Sequence, residues 1–330
     1  MSGFLQGFGV LARAQVARVS GQTSGSRRTV LPVPLGRKEM LSLSCDGTRA
    51  NRWVMATKAA HPDKAAQAAR TRTCPANRTA FVAWAAVWTL VTAIPFVAVT
   101  ALTIGLWATS AGYTDTNPVL DAGFFTVGAI IAVGFASQLR RPPRIAGVQQ
   151  AALGTLTLGA VGLIGERIEP LVGALVLLGA VAMLAGLHPD RDDLLAGGCA
   201  VSLPLAGLAT LAALVGAAHA WRMLGMATDA GPSCFLGQCA RGDRFAETAA
   251  ATVAGVLIGF LASAQTRGWR IPHWSAGAGS VVIGLASVAL QDDVGSLGLQ
   301  GGLFAVLWGI VFVACGELRG RVPGTVSITP

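Results

Sequence analysis

Residues 120–144 read LDAGFFTVGAIIAVGFASQLRRPPR. An apolar run from Leu120 to Gln138 ends in a loop holding Arg140, Arg141 and Arg144. About 20 apolar residues are what a helix needs to cross the hydrocarbon of a bilayer, and arginines directly behind such a run mark its cytoplasmic end. The pattern returns further along. Gly259-Phe260-Leu261-Ala262-Ser263-Ala264-Gln265 precedes Arg267-Gly268-Trp269-Arg270-Ile271-Pro272, displaced by 125–127 residues from Gly134-Phe135-Ala136-Ser137-Gln138 and its basic loop. The next turns match as well. Gly165-Glu166-Arg167-Ile168-Glu169-Pro170 and Gln291-Asp292-Asp293-Val294-Gly295-Ser296 are both short and acidic, 126 residues apart.

Around this pair the chain divides into eight apolar segments: 81–107, 120–138, 147–164, 171–187, 195–220, 249–265, 275–290 and 297–315. The expected fold is therefore all-α, a polytopic integral membrane bundle of about eight transmembrane helices, with seven or nine as the next counts. The echo places them in two four-helix repeats, residues 79–193 and 194–316, followed by a tail at 317–330. An even number of spans per unit keeps both units in the same orientation. The odd element is the outer loop after each unit's first span, about 12 residues in one and about 28 (222–248) in the other. Gly255/Gly259 and Gly298/Gly302 have the spacing of close helix contacts and are read as packing.

Composition agrees. Of 330 residues, 53% are hydrophobic and 12% charged, with mean hydropathy +0.59. Soluble domains carry about 25% charged residues. A soluble enzyme, a disordered chain and a nucleic-acid module are thereby excluded as whole-chain readings. The formal charge of +9 belongs to one end: residues 1–78 hold 13 Arg/Lys against 3 Asp/Glu, and the remainder 12 against 13. Residues 1–78 are thus a basic, largely disordered segment that would lie on anionic headgroups. Their Arg-rich, acid-free start fits a gene start placed too far upstream of Met40 or Met55. Arg outnumbers Lys 22 to 3, and 42 Gly accompany abundant Ala, the composition of a GC-rich bacterium.

Loop charges orient the chain. With the N-terminus inside, inner loops and tail carry Arg140, Arg141, Arg144, Arg191, Arg267, Arg270, Arg319 and Arg321, against Arg167, Arg222, Arg241 and Arg244 outside. The expected location is a bacterial plasma membrane, multi-pass, with both termini cytoplasmic.

Candidate sites are few. No acid, Lys or Arg falls deep in an expected span, which argues against proton pumps and most ion-coupled carriers. His219, Gln149 and Gln300 are candidates for a polar pathway, with Gln150 beside them; the bland alternative for each Gln is an interhelical hydrogen bond. Cys234 and Cys239, in the outer loop, are candidates for a disulfide. Arg140, Arg141 and Arg144 are candidates for lipid-phosphate contacts. His188, Asp190, Asp192 and Asp193 share one inner turn, where helix capping is favoured over a metal site. No catalytic residue, metal or cofactor is expected, and the bilayer is the only partner the sequence names. The leading functional expectation is a non-catalytic structural or accessory membrane component. A small permease for an uncharged or amphiphilic solute is the alternative, and a membrane enzyme using the Cys-containing loop comes third.

Overall fold

Proline and asparagine fix where the second helix begins. Asn117 accepts a hydrogen bond from the Leu120 amide, and Pro118 occupies the first turn, where its missing N–H leaves nothing unsatisfied. The computed structural model describes residues 75–108, 117–196, 201–231 and 240–319. Within them lie eight long helices: α1 (Pro75–Ala108), α2 (Pro118–Ala136), α3 (Ile145–Ile164), α4 (Ile168–Leu187), α5 (Leu203–Asp229), α6 (Ala240–Ser263), α7 (Arg270–Ala289) and α8 (Gly298–Arg319). A 3-10 turn, Ser137–Leu139, continues α2, and a one-turn helix, Asp193–Ala196, precedes α5. There is no strand among the described residues. The basic segment expected at 1–78 lies outside them up to residue 74, and so do Cys234 and Cys239.

The chain is an all-helical polytopic bundle. Seven helices are long and apolar enough to cross a membrane. The eighth, α7, is as long as α3 and α4 but carries Arg270, His273, Ser275, Ser280 and Ser287. It packs against α2, α6 and α8, which cover His273 and Ser287.

Within α1–α4 and within α5–α8 each helix packs on its successor, and in addition α1 meets α4 and α5 meets α8, which closes two four-helix rings. The rings join through corresponding members, α2 and α3 of one against α6 and α7 of the other. Corresponding residues touch across this joint. A side chain on Gly123 would meet Thr248, and Gln150 Nε2 donates to Ser275 Oγ at 3.0 Å; both pairs are 125 residues apart. At the arginine-rich end, the Ala146 amide donates to the Arg267 carbonyl and Gly268 lies against Arg144. A residue that touches its own counterpart sits beside a two-fold axis. Local details repeat too: Thr126 and Thr252 hydroxyls donate four residues back, at 2.7 and 3.0 Å, and Ser137 and Ser263 three residues back, both at 2.7 Å.

The largest departure from the sequence reading concerns α5 and α6. The span expected at 195–220 begins at Leu203, behind the first-turn Pro204, and continues to Asp229. The span expected at 249–265 begins at Ala240. Met223 and Ala227, then Phe245 and Ala246, are buried at helical spacing and extend both helices. Much of the expected outer loop 222–248 is therefore helical, up to Asp229 in α5 and from Ala240 in α6. Glycines bring α7 and α8 into backbone contact: a Cβ on Gly284 would stand 2.7 Å from the Gly302 carbonyl, and one on Gly302 2.8 Å from that of Gly284. Of the glycines expected to pack, Gly302 makes such a contact. Gly255 and Gly298 face open space.

Candidate functional site, a cavity in the second ring

The interiors of the two rings differ. In the first, Trp88 stacks on Phe135 with centroids 6.3 Å apart, and Trp84 lies beside it and donates to the Ala180 carbonyl at 3.0 Å. Both indoles are partly buried and pack against the core of this ring. In the second ring a cavity of about 80 Å³ remains. Its walls are Ala212, Val215, Gly216 and His219 of α5, Thr252, Gly255 and Val256 of α6, Ser275, Gly279 and Ser280 of α7, and Gly301, Phe304, Ala305 and Trp308 of α8; α2 contributes Thr126 and Ile130. Four of the wall residues are glycines, one per helix of the ring, and at Gly255 a Cβ would meet nothing within 4 Å.

Hydrogen bonds close both ends. Trp308 stacks on Phe312 at 4.7 Å and donates from Nε1 to the Leu208 carbonyl at 2.8 Å. At the other end Arg222 donates to the Val294 and Ser296 carbonyls, at 2.6 and 3.2 Å, and ties the α7–α8 turn to α5. The lining is apolar with a few hydroxyls. Those of Thr126 and Thr252 donate to their own helices, and Ser275 accepts from Gln150. His219 is 6% exposed and its Nε2 has no hydrogen-bond partner among the described residues. No lining residue carries a carboxylate, ammonium or guanidinium. An ion there would be desolvated and unpaired, so the cavity suits an uncharged molecule with one hydrogen-bonding group.

The residues singled out from sequence are not brought together. His219 lines the cavity. Gln149 lies near the arginine-rich end, where Nε2 donates to the Leu194 carbonyl at 2.8 Å and Oε1 accepts from Thr266 at 3.3 Å. Gln300 is exposed on α8. The polar contact next to the cavity belongs to Gln150, fully buried and bonded to Ser275 and to the Ile130 carbonyl. Arg140 and Arg141 are exposed and Arg144 half-buried, and none of the three forms an ion pair among the described residues. No group of three or more His, Cys, Asp and Glu able to hold a metal occurs among the described residues. His188 turns inward, accepts the Asp190 amide on Nδ1 and leaves Asp190 to pair with Arg267 at 2.9 Å. Burial lowers the His188 pKa; Asp190 opposes this and Arg267 adds to it.

A charged cluster that the sequence reading placed in a loop sits at the opposite end of the bundle. Arg244 pairs with Glu247 at 3.0 Å and Asp121 at 3.7 Å and covers the Phe124 ring at 3.9 Å, joining α6 to α2. Arg167, 2% exposed, packs its guanidinium against Gly242 beside the buried Asp243. The cluster joins the two rings at this end, and its legible signal was Asp243 and Glu247, spaced to share one helix face.

Comparison with family models, curated proteins and solved structures gave no match.

Proposed function

We propose that the protein binds and passes a small, uncharged, mainly apolar solute through the second of two duplicated four-helix units, within a bacterial plasma membrane and with both termini cytoplasmic. The observation that carries this reading is the cavity, lined without formal charge and holding an unpartnered His219 Nε2. The first unit, in which Trp84 and Trp88 pack against the core, serves as its scaffold. The orientation is supported by the exposed Arg140, Arg141, Arg191 and Arg267 at one end of the bundle. The duplication is supported by the matching contacts of the two rings.

The test is flux of labelled lipophilic compounds in cells that do or do not make the protein, with Gly255→Leu as control. Gly255 lines the cavity and a Cβ there meets nothing within 4 Å, so a leucine at this position takes up cavity space. The expected result is faster flux of at least one compound with the wild-type chain, lost in the variant. Equal fluxes across a broad panel would overturn the permease reading and leave a structural membrane component, for which the packed joint between the rings speaks.

A further inference from the structure

We infer that the occupant is a membrane-dissolved amphiphile with a hydroxyl end, a long-chain alcohol in kind, entering sideways from the bilayer between α5 and α8. This rests on the solute-binding reading above and adds the ligand class and the route.

The route follows from which seams are closed. The α7–α8 seam is backbone against backbone at Gly284 and Gly302. In the α5–α6 seam, Gly216 backs on Thr252 and Val256, and Gly259 on Ala209. The α6–α7 side is covered by α2. The α5–α8 seam differs. It is tied near one end by the Trp308–Leu208 and Arg319–Ser202 hydrogen bonds, and near the other by Arg222 on the α7–α8 turn. Between Leu208 and Arg222, about 20 Å of helix rise, no hydrogen bond joins α5 to α8 among the described residues. The wall residues that border this stretch include the small Ala212, Gly216, Gly301 and Ala305. Val215 both lines the cavity and is 39% exposed, so wall and outer surface meet there. Its neighbours on that surface, Leu211 and Leu214, are exposed and apolar, as a lipid-facing mouth requires.

The ligand class follows from the lining. Without a countercharge the cavity disfavours a carboxylate or an ammonium. His219 Nε2 is a donor in one tautomer and an acceptor in the other, and a hydroxyl satisfies either. An aliphatic chain trailing through the α5–α8 mouth stays in hydrocarbon.

The experiment uses the full chain in lipid nanodiscs, irradiated with an alkyne-tagged long-chain primary alcohol bearing a diazirine beside its hydroxyl. Labelled residues are mapped by mass spectrometry. Labelling is expected on α5 and α8 around Val215 and His219, reduced roughly tenfold or more by Gly255→Leu, because a filled pocket excludes its ligand. Val215→Trp narrows the mouth from an exposed position and is expected to slow labelling while its final distribution stays the same. A short, water-soluble diazirine alcohol is the comparison. If that probe labels the cavity and Val215→Trp changes neither probe, entry is from water and the inference falls while solute binding stands. If neither probe labels the cavity, or if labels lie only on outer faces and ignore Gly255→Leu, both fall.

Discussion

His188 closes the end of α4 against Phe81, whose ring meets it edge-on at 5.5 Å. Burial holds its pKa below the ordinary 6.5. The sign follows from linkage: the unfolded chain binds a proton that the folded one resists, so the contribution is complete above the unfolded value and declines as pH falls through it. Melting temperature in detergent is expected to drop between neutral pH and pH 5 less in His188→Gln than in the wild type. An equal drop in both would show that His188 does not report on that end of the bundle. Single residues were also where sequence reading was weakest. Gln149 and Gln150 point about 100° apart on a helix, so the neighbour of a correct polar position performs a different task. Composition cannot say which of the two faces Ser275. Asp243 and Glu247 were taken as loop residues because charge ends an apolar run. In the fold they lie on α6, where Arg244 pairs with Glu247 and with Asp121 of α2.

At the scale of elements, the spans were legible and their ends were not. Apolar length placed α2, α3 and α4 within a few residues. It stopped α5 some nine residues early, at Ala220, because Trp221, Arg222 and Asp229 dilute hydropathy while Met223 and Ala227 keep the buried face. Helix contacts follow small residues rather than hydrophobicity, which a bilayer does not reward between helices. The α7–α8 seam tests this. Gly302→Ala forces a methyl group into the Gly284 carbonyl and is expected to cost about 1–3 kcal/mol, as overpacking does. Gly179→Ala on α4, where a Cβ meets nothing within 4 Å, is expected to leave the melting temperature unchanged or raise it. Equal effects of the two would refute the account of the seam.

At the scale of the molecule, the repeat was legible in loop chemistry. The Arg-Pro loop and the acidic turn recur because both units end their helices at the same two surfaces. What the loops could not reveal is the cavity in the second unit, whose wall is drawn from α2 and from all four helices of that ring and so is not local in sequence. The orientation proposed here predicts that a membrane-impermeant maleimide labels Cys234 and Cys239 in intact cells after reduction. Labelling only after permeabilisation would invert the topology. The central claim is that the second unit is built around space for a ligand, and Gly255, on the cavity wall, tests it. In purified protein, Gly255→Leu is expected to gain about 1 kcal/mol from helix propensity alone. The decisive measurement is binding of a radiolabelled long-chain alcohol, alongside melting temperature, for wild type and Gly255→Leu in the same nanodiscs. The account predicts saturable binding to the wild type and none to a variant that melts higher. Equal binding to both, or a variant that melts lower, would contradict it.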